Sequence, residues 1–259
     1  MAHLDHFGFG WPTPVIAYAM ACIGAALGLR CTLRALEAPP TARASRRNWL
    51  VTAAAAIGSG IWTMHFVAMF GFAVDGTELR YNVPLTVLSL LVAVLVVGIG
   101  VFVVGYGRHR GRALLLGGLI TGLGVAAMHY LGMAAVRMHG HLRYEAGTVV
   151  LSVLIAVGAA SAALWAAVTI RNVYAAAAAA LVMGVAVSLM HYTGMAAVQV
   201  ELEPSRVELG GATPMQFIFP LAVGLGSFLF LTSAFVALSP TAQERAAYRE
   251  AGQLAIEEV

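Results

Sequence analysis

Three short stretches of the sequence each place one histidine between two methionines. They read MHFVAMFGF from Met64, MHYLGMAAV from Met128 and MHYTGMAAV from Met190. In each stretch the histidine and the second methionine are four residues apart, so on a helix they would lie on one face. These pairs are His65 with Met69, His129 with Met133, and His191 with Met195. The first methionine precedes its histidine and lies about 100° away around a helix, towards a neighbouring face.

Imidazole and thioether groups together suit soft or borderline metal ions. Thioether sulfur favours Cu(I), and imidazole accepts copper, zinc, iron or nickel. Carboxylates, which Mg²⁺ and Ca²⁺ prefer, are absent from the apolar segments that contain the three stretches. The ligand set therefore predicts copper, as Cu(I) or Cu(II), with the three histidines as nitrogen ligands and one or more methionines as sulfur contacts. Two alternatives stay open: a haem held by two histidines, and a structural role in interhelical hydrogen bonding and core filling.

The composition indicates a membrane protein. Of the 259 residues, 60% are hydrophobic and 10% are charged, whereas a soluble domain carries about 25% charged residues. The formal net charge of +3 comes from 15 arginines and no lysine. Because the arginines occur in short groups between apolar runs, they indicate membrane orientation rather than nucleic-acid binding. The first ten residues lack the features of a signal peptide, so the first apolar run is expected to be retained.

Seven segments are apolar over the about 20 residues that a bilayer-spanning helix needs. They run approximately over residues 12–36, 49–74, 83–105, 113–136, 148–170, 174–198 and 215–238. The short connections predict that successive helices pack antiparallel in one bundle. The predicted fold is all-α: a seven-transmembrane-helix bundle of three repeated helix hairpins plus one helix. This seven-helix domain takes residues 1–238, and a polar tail or linker takes residues 239–259.

The arginines also predict the orientation of the bundle. Eleven fall on one side of the predicted spans and four on the other. By the positive-inside rule the richer side is cytoplasmic, which puts the N-terminus outside and the C-terminus inside the cell. The predicted location is the bacterial inner membrane. Most of the cytoplasmic arginines are expected in three loops: Arg43, Arg46 and Arg47; Arg108, Arg110 and Arg112; and Arg171.

The three motif-bearing spans are internal repeats. Their histidines are separated by 64 and 62 residues, and a glycine stands seven residues before each one: Gly58, Gly122 and Gly184. A second small residue stands four positions earlier, and such small-xxx-small stripes let helix backbones approach closely. Each histidine lies about 24 Å along its span at roughly 1.5 Å per residue. The sequence thus predicts three histidines at one level in the outer leaflet, around a pseudo-symmetric centre. The same stripes leave a homodimer open.

Other residues could support such a site. Four further histidines on the predicted outer side are candidates for accessory metal capture, although solvated loop histidines are the simpler interpretation: His3, His6, His139 and His141. The aromatic residues that follow the motif histidines could wall the site or supply a hydroxyl partner, or could serve packing alone: Phe66, Tyr130 and Tyr192.

These residues resemble a known family. The MHY tripeptides at Met128 and Met190, the TGM after the second, the MHF variant at Met64 and the seven spans are similar to the MHYT family of bacterial integral-membrane sensor domains. The resemblance implies copper bound near the outer face by the methionines and histidines of all three motifs. It also implies sensing of O2, CO or NO and an output through a cytoplasmic signalling domain or protein. Phe66 departs from the motif tyrosine, and only Thr193 retains the motif threonine.

The predicted function is therefore a non-enzymatic, copper-binding sensor that responds to a diatomic gas, to redox state or to copper itself. Its expected partners are the lipid bilayer and a cytoplasmic output. A metal or small-solute transporter is the main alternative, because the same side chains could form a transient site. A haem-binding membrane protein is a further alternative. An enzyme is less well supported, because the motif spans contain no carboxylate for acid or base catalysis.

Overall fold

Seven long apolar helices make up most of the protein. The computed structural model describes residues 4–5, 10–39, 41–170, 172–203 and 207–239. Within these residues the helices are α1 Pro12–Glu37, α2 Arg43–Met69, α3 Val83–Tyr106, α4 Arg110–Ala134, α5 Ala146–Thr169, α6 Val173–Ala196 and α7 Phe219–Leu238. A π-helical turn, Pro214–Ile218, leads into α7. All seven are long and apolar enough to cross a membrane, which confirms the predicted all-α bundle of seven spans.

The helix bounds differ most from the sequence prediction at α2, for which the apolar run indicates residues 49–74. The helix begins at Arg43 and ends at Met69, and an arginine in its first turns contacts another helix. Arg46 donates a hydrogen bond to the carbonyl oxygen of Gly105 and lies over the ring of Tyr106, 4.8 Å from its centroid. Arg43, Arg46 and Arg47 therefore form the first turn of α2 rather than a loop, and Arg110 and Arg112 likewise belong to α4. Arg171 lies outside the described residues.

Helices α1 to α6 pack as a closed ring. Each contacts the next in sequence, and α6 contacts α1. Helix α7 packs mainly against α1 and α2, and most of its surface stays exposed. The three motif helices α2, α4 and α6 therefore alternate with α3, α5 and α1 around the ring. This arrangement places the three repeats around a common centre, with α1 rather than α7 between α6 and α2.

The glycine stripe of the repeats is used for close helix packing. A Cβ added at Gly58 would lie 2.7 Å from the Cα of Val94 on α3, and one at Gly122 would lie 2.4 Å from the Cα of Val157 on α5. At Gly184 the added Cβ would lie 2.4 Å from the sulfur of Cys22 on α1. Gly58 and Gly122 thus permit a backbone approach that any larger side chain would block, whereas the neighbours of Gly184 are side-chain atoms.

Three short antiparallel ribbons cover one end of the bundle, the end at which α2, α4 and α6 finish; we call it the motif end. They pair β1 Leu4–Asp5 with β2 Ala73–Val74, β3 Arg80–Tyr81 with β4 Val136–Arg137, and β5 Gly140–Tyr144 with β6 Val198–Leu202. Next to the third ribbon, the carboxylate of Glu145 caps α5. It accepts hydrogen bonds from the hydroxyl of Thr148 and from the backbone of Gly147 and Thr148, and these bonds lower its pKa. The sequence analysis did not predict the ribbons.

Candidate metal centre

The three motif histidines meet at one point in the centre of the bundle. The Nδ1 atoms of His65 and His191 are 2.9 Å apart, those of His129 and His65 are 3.2 Å apart, and those of His191 and His129 are 3.3 Å apart. The side chains are almost fully buried, with at most 2% exposure. The three imidazoles therefore converge, with one ligand atom of each within 4.8 Å of the others. Their role as metal ligands stays a prediction.

The helix positions explain this convergence. Each histidine stands four or five residues before the end of its helix, so all three lie at one level, about one turn below the motif end. Because α2, α4 and α6 alternate with other helices around the ring, the same helix face in each repeat points to the centre. Repetition of one sequence motif thus produces a three-sided site.

The three nitrogens cannot all be satisfied by hydrogen bonds with one another. Each Nδ1 carries either a proton or a lone pair, so in any triangle of such atoms at least one contact joins two donors or two acceptors. Two of the rings carry a second unsatisfied group, since the Nε2 atoms of His65 and His129 have no hydrogen-bond partner among the described residues. A buried unsatisfied polar group costs about 1–3 kcal/mol. A cation that accepts all three lone pairs removes the conflict.

The triangle has the size that a metal ion requires. Metal–imidazole bonds are about 2.0 Å long, so three nitrogens around one ion are about 3.3 Å apart in tetrahedral geometry and about 3.5 Å apart in a trigonal plane. The observed separations of 2.9 to 3.3 Å are close to these values. The site does not fit a haem, because two axial nitrogens lie on opposite faces of the macrocycle and about 4 Å apart. No flat ring system fits between nitrogens as close as these.

The second methionines form a sulfur-rich layer above the histidines. Met69, Met133 and Met195 belong to one buried cluster at the motif end, together with Phe72, Val74, Met138, Val198 and Val200. Each stands one helical turn beyond its histidine, in the direction of the ribbons. The centre therefore consists of a layer of three imidazoles and, outward from it, a layer of thioethers.

The first methionines lie elsewhere. Met64 packs with Ala17 and Ala21 of α1, and Met128 and Met190 belong to the main core cluster. All three are buried, with 1% exposure, and they pack in clusters separate from the thioether layer. A ligand role for Met64, Met128 and Met190 stays a prediction, and their packing shows that they fill the core.

Two glycines hold the imidazoles in place and were missed as site residues. A Cβ added at Gly132 would lie 2.5 Å from Nε2 of His65, and one at Gly194 would lie 2.5 Å from Nε2 of His129. Each of these rings therefore rests against the backbone of the next motif helix. The sequence contains a pattern that could have identified these two glycines, since both stand three residues after a motif histidine.

The aromatic residues after the histidines line the centre. Phe66, Tyr130 and Tyr192 each form an edge-on ring contact with the preceding histidine, at centroid distances of 4.6, 4.8 and 5.0 Å. The hydroxyl of Tyr130 bonds to Ser152, 2.7 Å away, rather than to an imidazole. These rings restrict the orientation of the imidazoles and keep them apart from lipid.

The other histidines of the sequence analysis lie outside the centre. His139 and His141 stand on the motif end, where His139 Nε2 donates to the carbonyl oxygen of Val207 (2.9 Å) and His141 Nε2 lies 3.3 Å from Glu203. Near them, burial, with a smaller effect of Tyr130, raises the pKa of the Tyr144 phenol to about 12. His3 and His6 lie outside the described residues, so their part in metal capture stays a prediction.

Comparisons with known proteins agree with the repeats seen in the sequence and the fold. The family model MHYT, described as "Bacterial signalling protein N terminal repeat", matches three consecutive stretches, residues 58–118, 122–180 and 184–248. Each match begins at one of the packing glycines, Gly58, Gly122 or Gly184, and includes one motif histidine. The three matches together cover more than half of the chain.

Several curated proteins are similar over part of their length. The chain is 46% identical over 160 residues to the bifunctional diguanylate cyclase/cyclic di-GMP phosphodiesterase MucR of Pseudomonas aeruginosa. These aligned residues are 60% of this chain and 23% of MucR. It is 39% identical over 185 residues to the cyclic di-GMP phosphodiesterase NbdA of the same species, covering 69% of this chain and 24% of NbdA. The signaling protein YkoW of Bacillus subtilis is 31% identical over 160 residues, covering 58% of this chain and 19% of YkoW. The chain thus spans a quarter or less of these relatives' length. No solved structure matches it significantly.

Proposed function

We propose that this chain, which belongs to the MHYT family of bacterial signalling proteins, is a membrane sensor that holds a copper ion between its three motif histidines. The observation that carries the proposal is the triangle of three buried Nδ1 atoms no more than 3.3 Å apart. Their lone pairs can be satisfied together by one cation. The layer of thioethers next to them favours Cu(I) over the zinc, iron or nickel that imidazoles alone would accept.

A sensor needs a way for its signal to reach the ion, and we propose that the signal enters at the motif end. By the arginine distribution this end faces away from the cytoplasm, in the inner membrane. Copper bound by three histidines has room for a further ligand, which is the basis for proposing O2, CO, NO or a change of redox state as the signal. Copper availability itself is a third candidate, because binding relieves the conflict among the imidazoles.

The output is proposed to pass through α7. Its C-terminal end is tied to α1 by Arg34, which donates hydrogen bonds of 2.8 Å to the carbonyl oxygens of Val236 and Ser239. Helix α1 contacts both α2 and α6, so two of the three motif helices act on the element that holds α7. The names of MucR and NbdA assign turnover of cyclic di-GMP to those proteins. We infer a cytoplasmic output of this kind for the present chain, as a further domain or as a partner protein.

The interior beyond the histidines supports a resident ion rather than a transported one. Between the histidines and the other end of the bundle lie two small cavities of about 50 and 30 Å³. Their shared walls are mostly aliphatic, with Ile57, Ala160 and Ala163. The other lining groups are the hydroxyls of Thr32 and Thr121 and the thioethers of Met183 and Met190, with no imidazole or carboxylate among them. Such a lining gives a cation little stabilisation on its way across the membrane.

Metal analysis of the purified protein tests the proposal. Protein from copper-supplied cells is expected to contain about one copper ion per chain, and His129→Ala is expected to reduce the content by about tenfold or more. His109→Ala is the matched control, because His109 is exposed at the opposite end of the bundle. The size-exclusion profile shows whether each variant is folded. Wild-type protein without copper, or full copper content in folded His129→Ala protein, would overturn the proposal.

A further inference from the structure

One methionine outside the three motifs joins the sulfur-rich layer. Met138 stands between β4 and β5, and it packs in the same cluster as Met69, Met133 and Met195. At 9% exposure it is the most accessible of these four thioethers, whereas the other three are at most 2% exposed. It is therefore the point at which the buried sulfur layer comes closest to solvent.

Two clefts meet at Met138. The outer cleft, of about 460 Å³, is open to solvent, and its lining includes Met138, His139, His141 and Glu203. The inner cleft, of about 350 Å³, is lined in part by Met138, His141, Met133 and Tyr130. Met138 and His141 line both. These two side chains therefore lie between the solvent-open cleft and the cleft that reaches the buried Met133, which stands one helical turn from His129.

His141 has the arrangement of a metal-binding histidine. Its Nε2 lies 3.3 Å from the carboxylate of Glu203, and strand pairing between β5 and β6 holds its backbone. When a carboxylate accepts the proton on Nε2, the lone pair of the neutral ring lies on Nδ1, where it is available to a metal. The outer cleft also includes Glu208 in its lining, so two carboxylates and the guanidinium of Arg137 surround its mouth.

We propose that Met138 and His141 form a capture site for Cu(I) at the motif end, from which the ion passes along the methionine layer to the three histidines. This inference rests on the proposed function, because it supplies the route to the same centre. Each transfer exchanges one ligand of the ion for another: His141 nitrogen and Met138 sulfur first, then the sulfurs of Met133, Met69 and Met195, then the histidine nitrogens. Copper stays Cu(I) throughout, so no oxidant or reductant is consumed.

The capture site makes a kinetic prediction that a packing role does not make. Metal-free protein is mixed with Cu(I) kept reduced by ascorbate, and the rate of uptake and the final copper content are both measured. Met138→Leu preserves volume and apolar character, so the fold should tolerate it, but it removes the sulfur. Uptake of Cu(I) is expected to slow by about tenfold or more at unchanged final content. Met183→Leu, in the cavity on the other side of the histidines, is the matched control.

Two further measurements distinguish loss of the Cu(I) transfer route from general damage to the fold. His141→Gln alters an exposed side chain, 69% accessible, and is also expected to slow Cu(I) uptake. Uptake of Zn²⁺, which depends little on thioethers, should keep the wild-type rate in Met138→Leu.

Three results would overturn the transfer route, and the last of them would also overturn the proposed function. Wild-type rates of Cu(I) uptake in both variants would overturn the route and leave the histidine centre standing. Loss of final copper content in Met138→Leu would make Met138 a ligand of the resident ion, which also overturns the route. If wild-type protein takes up no copper at all, the proposed function fails together with the route.

Discussion

At the scale of single residues, the centre depends on an odd number of equivalent imidazoles. Two facing imidazoles can share one hydrogen bond, but three nitrogens at mutual distances of 2.9 to 3.3 Å cannot all pair. Burial adds to the cost, because the Nε2 atoms of His65 and His129 have no partner among the described residues. This conflict is what distinguishes the three histidines from ordinary interhelical hydrogen-bonding groups.

The glycines that support the rings give a test at this scale. Gly132→Ala would place a methyl group 2.5 Å from Nε2 of His65 and must displace the ring. We expect copper affinity to fall by about 10- to 100-fold, the usual effect of changing a group that orients a metal ligand. Competition with a Cu(I) chelator measures this affinity.

Gly158→Ala is the control for that variant, because Gly158 lies on α5 with open space where the new methyl group would go. Both substitutions favour helix formation to the same degree, by roughly 0.5–1 kcal/mol. Equal copper affinities in the two variants would show that the backbone at Gly132 does not position His65.

Much of the centre could be predicted from the sequence, because repetition itself is a signal. Nearly equal spacing, 64 and 62 residues, predicted His65, His129 and His191 at one level, and the i+4 relation predicted Met69, Met133 and Met195 next to them. The roles of Gly132 and Gly194 depend on which neighbour each imidazole meets, and this follows from the rotation of one helix against another. Met138 could not be found in this way, since it lies between two short strands where no helical periodicity applies.

At the scale of elements, the ring is completed by a helix that lies outside the repeats. Helix α6 packs its glycine, Gly184, against Cys22 of α1, as α2 packs Gly58 against α3 and α4 packs Gly122 against α5. The third family match includes α7, yet α7 lies against α1 and α2. Repeat order along the chain predicts three equivalent hairpins. It does not predict that α1 takes the place beside α6.

A cross-linking experiment tests this packing. In Gly184→Cys the new side chain would begin 2.4 Å from the sulfur of Cys22, so a small shift brings the two sulfurs to bonding distance. Mild oxidation with diamide is expected to join α6 to α1, detected by mass spectrometry of digested protein. Gly224→Cys, on the exposed side of α7, is expected to leave Cys22 unlinked. If Cys22 stays unlinked in oxidised, folded Gly184→Cys protein, the place of α1 beside α6 is contradicted.

The short ribbons at the motif end could not be predicted from the sequence. Two of the three have strands of two residues each, too short for an alternating apolar pattern to be recognised. Their pairing partners are far apart in sequence, as with Arg80 and Arg137. The ribbons become evident only when the helices have brought their ends together.

At the scale of the whole molecule, the candidate metal-binding groups lie at one end of the bundle and most of the positive charge lies at the other. The motif end carries the thioether layer, the clefts and His141, whereas the opposite end carries most of the arginines. Helix α7 leaves the bundle at that second end, where Arg34 holds its last turn. In the proposed function, the signal is transmitted from the histidines to α7 through these packed helices.

The coordination of copper tests the central claim most directly. X-ray absorption at the copper edge of the loaded protein should show about three nitrogen neighbours at about 2.0 Å, with the outer-shell signal of imidazole rings. In the His65→Ala variant this nitrogen shell should be lost or reduced. A shell of sulfur alone, or nitrogen neighbours that lack the imidazole signal, would contradict the account of three histidines on one ion.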